Sequence, residues 1–238
     1  MALGLAAVLV GVAKTAIGGF GTVAVALFAA AMPTRESTAA LLLLLLVGDV
    51  VAVSHYRRDC DWSLLKHLVP GVLPGILVGT LVLAVVDDET LRRSIGGVLL
   101  LLVILQLWLQ AGRRGDVARA WGTPAIAATG VGAGFTTMVA NAAGPVMTLY
   151  LVAQRVDKRR FLGTGAWFFL GVNLCKLPFS VGLGLLSWPT VARMTLLVPL
   201  VLTGAWVGVH LVRRMEQRRF EVAVTAASAL SAVALLVG

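Results

Sequence analysis

The chain has 238 residues, of which 59% are hydrophobic and 13% are charged, and its mean hydropathy is +0.94. A soluble globular domain usually has about twice this share of charged residues. The charged residues here fall between long apolar runs, so we predict a polytopic membrane protein embedded in a lipid bilayer. The net charge of +9 does not indicate a nucleic-acid partner, because no basic groove motif and no interleaved aromatic pattern accompany it.

The apolar runs differ in length, and two of them are interrupted. They fall at about 2–31, 38–56, 64–86, 91–111, 122–153, 161–185, 190–212 and 220–237. Six match the length of about 20 residues that crosses a bilayer once. The first and fifth are longer, and each is broken near its middle, at Gly18–Thr22 and at Asn141–Pro145. Broken backbone at membrane depth needs cover from protein or a water-filled cavity, so these breaks are the candidate binding site.

The pattern of runs repeats along the chain. A shift of about 122 residues places Gly19 on Asn141 and the second run on the sixth. We therefore predict an all-α membrane protein with a single transmembrane domain, residues 1–238, built from two repeated halves, 1–115 and 116–238. Each half would contain one broken, re-entrant helix pair and three transmembrane helices.

The basic residues distinguish two topologies. If every run crosses once, seven loop Lys and Arg residues lie on one side and eleven on the other. If the fifth run is a hairpin that returns to its own side, fourteen lie on one side and four on the other. The positive-inside rule favours the hairpin. With a matching hairpin in the first half, we predict an inverted repeat with six full crossings, hairpins entering from opposite faces, and both termini outside. The alternative is eight crossings, with the two long runs tilted or kinked.

The hairpin tips have residues suited to helix starts. Pro145 suits the first position of a restarted helix with Gly144 as its cap, and Thr22 is a candidate cap in the first half. Each restarted helix would aim free N–H groups at the membrane centre, where they favour an anion. In the alternative interpretation, Gly18, Gly19 and Gly21 only allow helices to pack closely.

Three ionisable residues lie inside apolar runs: Lys14, Asp49 and Lys176. Such a charge costs about 2.5–3.5 kcal/mol on insertion scales, so it is expected to be paired or functional. Either lysine would supply the positive charge that an anionic substrate needs, although Lys176 could instead extend its ammonium to the membrane surface. Asp49 is either a proton-coupling residue or the partner of one lysine.

Uncharged donors near the breaks are further candidates for the binding site. Thr137 and Asn173 could line it, as could Thr136 and Thr164, but such residues also join helices to one another. The three histidines have no metal-ligand spacing, and no nucleophile–base set or phosphate-binding loop is visible. We therefore predict no metal, no other cofactor and no enzymatic activity.

Several segments together resemble the sulfite exporter TauE/SafE family, also called TSUP. They are GFTTMVANAAGPVMTLYL (134–151), FLGTGAWFFLGVNLCKLPF (161–179), GGFGT (18–22), Pro33 and HYRRDCDW (55–62). The similarity is specific in the second half and looser in the first, where the family's fuller glycine run is reduced to three glycines. The resemblance implies a multi-pass protein of the bacterial inner membrane that moves small anions, often sulfur oxyanions or organosulfonates, usually outward.

The leading hypothesis is a secondary transporter that exports small anions such as sulfite or organosulfonates. Binding would use the two tips and one of the buried lysines, with one half rocking against the other. An anion channel and an uptake carrier for thiosulfate or small carboxylates stay open as alternatives, as does assembly into a homo-oligomer. An intramembrane enzyme would need a catalytic set that the sequence lacks, and a non-transporting subunit would not need buried lysines and broken helices.

Overall fold

The structure is a computed structural model that describes residues 2–16, 20–87, 89–90, 123–220 and 222–223. The predicted fourth run and nearly all of the eighth lie outside these residues. The described part contains helices and no strand, which confirms the all-helical prediction for that part. Its eight main helices are α1 (Ala2–Thr15), α2 (Phe20–Ala31), α3 (Thr34–Tyr56), α4 (Trp62–Val85), α5 (Thr123–Ala140), α6 (Ala143–Ala153), α7 (Lys158–Gly182) and α8 (Trp188–Arg213).

Three of these helices are long and apolar enough to cross a membrane: α3 over Arg35–Tyr56, α4 and α8. Helix α7 is similarly long, with 25 residues, which corresponds to roughly 37 Å. Several helices begin slightly before their apolar runs, because a polar side chain caps the first turn. Asp61, Asp157 and Ser187 accept hydrogen bonds from backbone N–H groups at the starts of α4, α7 and α8.

Each long run is two helices, and the second helix folds back in both cases. In the first half, a Cβ placed on Gly21 of α2 would lie 3.8 Å from the Cβ of Ala13 in α1. These residues would be roughly 12 Å apart along one continuous helix. In the second half, the Tyr150 hydroxyl of α6 donates to the Leu64 carbonyl at the beginning of α4, at 3.1 Å. A continuation of α5 would carry Tyr150 away from that end.

Glycines bring α4 and α5 into backbone contact. A Cβ on Gly71 would meet Gly130, and a Cβ on Gly79, two turns further along α4, would meet Met138. Residue numbers rise together in both helices, so α4 and α5 run in the same direction. The missing side chains permit this close approach.

The same arrangement joins α1 and α8. Gly204 lies against the backbone of Val8, and Gly208 lies against that of Val12. Helices α1 and α8 therefore also run in the same direction. In both pairs, the first arm of a broken run packs on a helix from the other half of the sequence.

Helices α3 and α7 cross between these two pairs in opposite directions. Asp49 contacts Asn173, and the Arg57 carbonyl, further along α3, accepts from the Trp167 indole, earlier along α7. Two apolar clusters flank this central pair. One includes side chains of α1, α2, α3 and α8, and the other includes side chains of α4, α5, α6 and α7. The residues that face each other across α3 and α7 consequently lie in the interior.

Polar contacts group the connecting segments at two ends of the bundle. At one end, Arg160 is 3.8 Å from Asp61, and Arg213 contacts His55 at 3.2 Å. At the other end, Thr190 donates to Glu36 at 2.6 Å. The 55–61, 157–160 and 213–215 segments thus share one end, while residues 35–36, 83 and 187–190 share the opposite end.

Candidate functional site

The break in the second half is a two-residue turn at Asn141 and Ala142. Helix α5 ends at Ala140, and Asn141 has a φ of 51°, in the left-handed region that asparagine tolerates better than most residues. Helix α6 then begins at Ala143 with Ala142 as its N-cap residue. The prediction that Gly144 caps the helix and Pro145 opens it was wrong by two residues, because the turn at Asn141 lets the helix restart earlier. Pro145 still lies in the first turn of α6. N–H groups there have no acceptor within the helix, so proline loses no helical hydrogen bond.

The Lys176 ammonium lies at this turn and is bound by neutral groups. Lys176 is 1% exposed, and its Nζ donates to the Asn141 side-chain oxygen and to Thr137 Oγ1, the latter at 3.3 Å. The Asn141 amide in turn donates to the Thr38 carbonyl of α3 at 3.0 Å. No carboxylate of the described residues lies within 4 Å of this ammonium. The ammonium is therefore enclosed by the protein, and its charge has no ion-pair partner among the residues that the structure describes.

The beginning of α6 adds a second source of positive potential beside Lys176. Ala142 and Ala143 are buried, and Ala142 provides no side-chain cap. The N–H groups in the first turn of a helix have no intrahelical acceptor, and they carry part of the helix dipole. A buried ammonium and a buried, uncapped helix N-terminus together form an environment suited to an anion.

The other buried lysine is paired. Lys14 Nζ lies 2.8 Å from Asp49 Oδ1, and Asp49 Oδ2 accepts a hydrogen bond from the Asn173 amide at 2.6 Å. Lys14 Nζ also lies 4.3 Å from the centre of the Phe169 ring, at cation–π distance. Asp49 therefore neutralises Lys14, which is one of the two partners expected from the sequence.

Six of the predicted site residues form two groups that share helix α7. One group contains Lys176, Thr137 and Asn141, and the other contains Lys14, Asp49 and Asn173. Asn173 and Lys176 are three residues apart on α7, so they lie on the same face of the helix. No hydrogen bond joins the two groups directly in the described part of the chain.

The first-half tip is only partly described. Gly18 and Gly19 lie outside the described residues, so their predicted role stays a prediction. Gly21 packs near Ala13, and Thr22 is buried within α2. Helix α2 begins at Phe20, so the prediction that Thr22 caps this helix was wrong, because the helix starts before it.

Two contributors to these groups were not predicted, and two predicted donors face elsewhere. The Thr38 backbone carbonyl has no sequence signal, whereas Phe169 lies four residues before Asn173, a spacing that predicts a shared helix face. Thr136 bonds within its own helix, and Thr164 accepts from the Asp61 N–H at a bundle end.

A surface pocket of about 500 Å³ lies away from Lys176, between residues 58–62 and 157–160. Hydrogen bonds from Ser63 hold the pKa of the Asp61 carboxyl below its ordinary value. Burial, and then the neighbouring Asp61 charge, raise the pKa of the Cys60 thiol to about 11. The pocket contains arginines and aspartates in equal number, so its charge does not favour an anion.

Comparison with known proteins gives one match. The family model described as "Sulfite exporter TauE/SafE" matches residues 3–235, which is nearly the whole chain. No curated protein and no solved structure matches. The family match confirms the resemblance found from the 134–151 and 161–179 segments, and together with the apolar helices it identifies a membrane protein.

Proposed function

Because the chain belongs to the sulfite exporter TauE/SafE family, we propose that it is a secondary transporter of small anions. Sulfur oxyanions and organosulfonates are the leading substrate class, export is the proposed direction, and the bacterial inner membrane is the proposed location. The substrate would bind at the α5–α6 turn, with Lys176 as the counter-charge.

One observation carries this proposal: Lys176 is buried at a helix break, and its hydrogen-bond partners among the described residues are neutral side chains. An isolated charge in a protein interior is unfavourable unless something compensates it. A transported anion that pairs with Lys176 explains why the charge is present.

The directions of the helices support two re-entrant hairpins. Eight single crossings would make α3 and α7 the second and sixth crossings, which run the same way, yet their contacts are antiparallel. A hairpin in the second half alone would make α1 and α8 antiparallel, yet they pack in parallel. Two hairpins with six full crossings agree with both pairs, and with α4 and α5.

The grouping of the loops supports the same topology. The positive-inside count predicts that residues 57–66, 155–160 and 213–219 lie together on the cytoplasmic side. Contacts between Arg160 and Asp61, and between Arg213 and His55, bring these three segments to one end of the bundle. We therefore propose an inverted repeat in which the two halves exchange their first helices, with the anion held between them.

Transport would be driven by the proton gradient or the membrane potential, because the chain has no nucleotide-binding motif. The structural basis would be alternating access, in which the ends of the bundle open in turn. Glu36 contacts Thr190 at one end of the bundle, and Asp61 contacts Arg160 at the other end, so both contacts join the two halves. Each contact would break in the state that opens its own end.

The test uses purified protein in liposomes, with charge movement recorded on a supported membrane. The anions are sulfite, thiosulfate, sulfate, sulfoacetate and acetate, with the zwitterion taurine added, and each is applied with and without a proton gradient. The expected result is a saturable response to at least one sulfur anion, together with counterflow of labelled substrate. Counterflow identifies a carrier, since a channel shows none. Folded protein that responds to no anion in this panel contradicts the proposal.

A further inference from the structure

We propose that the buried set of Lys14, Asp49 and Lys176 makes the binding site selective for monovalent over divalent anions, with Asp49 as the residue that sets this preference. The inference rests on the proposed function, and it further states that the preferred substrate carries a single negative charge.

Counted in their ionised forms, the buried groups Lys14, Asp49 and Lys176 of the described residues sum to one positive charge. Asp49 is 0% exposed and Lys176 is 1% exposed, while the side chain of Lys14 is 9% exposed. Both oxygens of Asp49 are occupied by the protein, Oδ1 by Lys14 and Oδ2 by Asn173. Lys14 is consequently neutralised within the fold, and only the Lys176 charge is left for a ligand.

The two groups are close enough to influence each other. Asn173 binds Asp49, and Lys176 follows one helical turn later on the same face of α7. The electrostatic influences on Asp49 come from Lys14 on α1 and from Asn173 and Lys176 on α7. Helices α2 and α8 also pack on α3, but from the described residues they bring no further charge to Asp49.

This arrangement predicts different behaviour for the two anion classes. A monovalent anion at Lys176 leaves the buried set neutral. A divalent anion leaves one negative charge uncompensated in a medium of low dielectric constant, which is unfavourable. If Asp49 takes up one proton, its negative charge disappears and Lys14 is no longer neutralised. The two lysines then carry two positive charges, which balance the two negative charges of the anion. Binding of a divalent anion therefore takes up one proton more than binding of a monovalent anion.

The test compares methanesulfonate with sulfate, two tetrahedral sulfur anions of similar size that carry one and two charges at pH 7.5. Dissociation constants are measured by titration calorimetry on the purified protein. We expect wild type to bind methanesulfonate tenfold or more tightly than sulfate. We expect Asp49→Asn to shift the ratio of the two dissociation constants toward sulfate by about tenfold or more. Adding Lys14→Met to Asp49→Asn removes the extra positive charge and is expected to move the ratio back toward wild type.

The control is Glu216→Gln, which makes the same charge change as Asp49→Asn on a side chain that is 78% exposed. A ratio that shifts no more in Asp49→Asn than in this control overturns the inference. A second measurement needs no variant: calorimetry of wild type in buffers of different ionisation enthalpy. We expect about one proton more for sulfate than for methanesulfonate, and equal proton uptake contradicts the inference.

The outcomes separate this inference from the proposed function. One outcome is that wild type binds both anions and Lys176→Met binds neither, while Asp49→Asn leaves the ratio of the two dissociation constants unchanged. In that case only the charge selectivity is wrong. If wild type binds neither anion, both the anion site and the selectivity are wrong.

Discussion

The two buried lysines lie in contrasting environments. Lys14 lies in the last turn of α1, the first arm of one broken run, where its ammonium is 2.8 Å from Asp49 and 4.3 Å from the centre of the Phe169 ring. Lys176 faces the turn of the other broken run, where its partners are the neutral side chains of Thr137 and Asn141. The first lysine completes a structural contact within the fold, whereas the second keeps a charge that the fold does not neutralise.

This difference shows why burial alone does not identify a binding residue. Both lysines lie in apolar runs, and from sequence they are equally good candidates. The discriminating feature is the charge of the nearest partner, which depends on how α3 and α7 face each other. Substitutions of Lys14, Lys176 and Asn141 alter that feature at one lysine or the other.

The largest expected effect is on stability, from Lys14→Met. Removing one partner of a buried ion pair leaves Asp49 uncompensated and is expected to lower the free energy of unfolding by about 3–5 kcal/mol. Lys176→Met removes a charge without a counter-charge and is expected to leave stability within about 1 kcal/mol of wild type, or to raise it. Thermal or denaturant unfolding in detergent measures both. Equal losses in the two variants would mean that the lysines do not differ as described.

The second prediction gives Lys176 a carboxylate partner, as Lys14 already has. Asn141→Asp keeps the size of the side chain, tolerates the φ of 51°, and places a carboxylate at the Lys176 ammonium. We expect affinity for methanesulfonate to fall by about 100-fold, equivalent to about 2.7 kcal/mol, because the anion must compete with an internal carboxylate. Calorimetry on folded protein provides the measurement. Unchanged affinity would show that the anion does not use this ammonium.

The third prediction concerns the glycine contacts that hold both broken runs in place. Gly134→Ala in α5 would drive a Cβ into the Val72 carbonyl, and Gly11→Ala in α1 would drive one into that of Val201. Each is expected to lose about 1–3 kcal/mol of stability through overpacking. Gly132→Ala is the matched control, since a Cβ there meets nothing within 4 Å. If Gly134→Ala is as stable as Gly132→Ala, the close packing of α4 and α5 is incorrect.

The smallest expected effect is on the rate at which a maleimide labels Cys60, and the side from which labelling occurs tests the topology. Because the pKa of Cys60 is raised to about 11, its reactive thiolate is scarce at neutral pH and increases about tenfold per pH unit until the pH approaches 11. A membrane-impermeant maleimide should therefore label Cys60 slowly at pH 7 and faster at pH 9. In a Cys175→Ser background, labelling is expected from the cytoplasmic side only. Labelling from the outer side would reverse the proposed orientation.

Much of the fold could be predicted from the sequence, because membrane helices have a strong local signal. Apolar runs gave the positions of all eight described helices, and the breaks at Gly18–Thr22 and Asn141–Pro145 marked where two runs divide. The exact helix starts were less predictable. Asn141 adopts a left-handed conformation, so α6 restarts at Ala143 rather than Pro145, and α2 starts at Phe20 rather than after Thr22.

The residues of the candidate site could be predicted, but the sequence does not show which lysine pairs with Asp49. Lys14, Asp49, Asn173 and Lys176 were selected because polar groups in apolar runs are unfavourable there. Their pairing depends on contacts between residues 35 to 124 positions apart in the chain. The contribution of Thr38 is a backbone carbonyl, which every residue has, so no sequence pattern could identify it.

The most direct test of the central claim measures anion transport by Lys176→Met against Lys66→Met in liposomes. Both variants lose one lysine charge, but Lys66 is an exposed residue in the first turns of α4, whereas Lys176 is buried. We predict that Lys66→Met keeps the saturable sulfur-anion response of wild type, whereas folded Lys176→Met loses it by about 100-fold or more, as expected for loss of a buried counter-charge. Wild-type transport in Lys176→Met, from protein shown to be folded, would contradict the account.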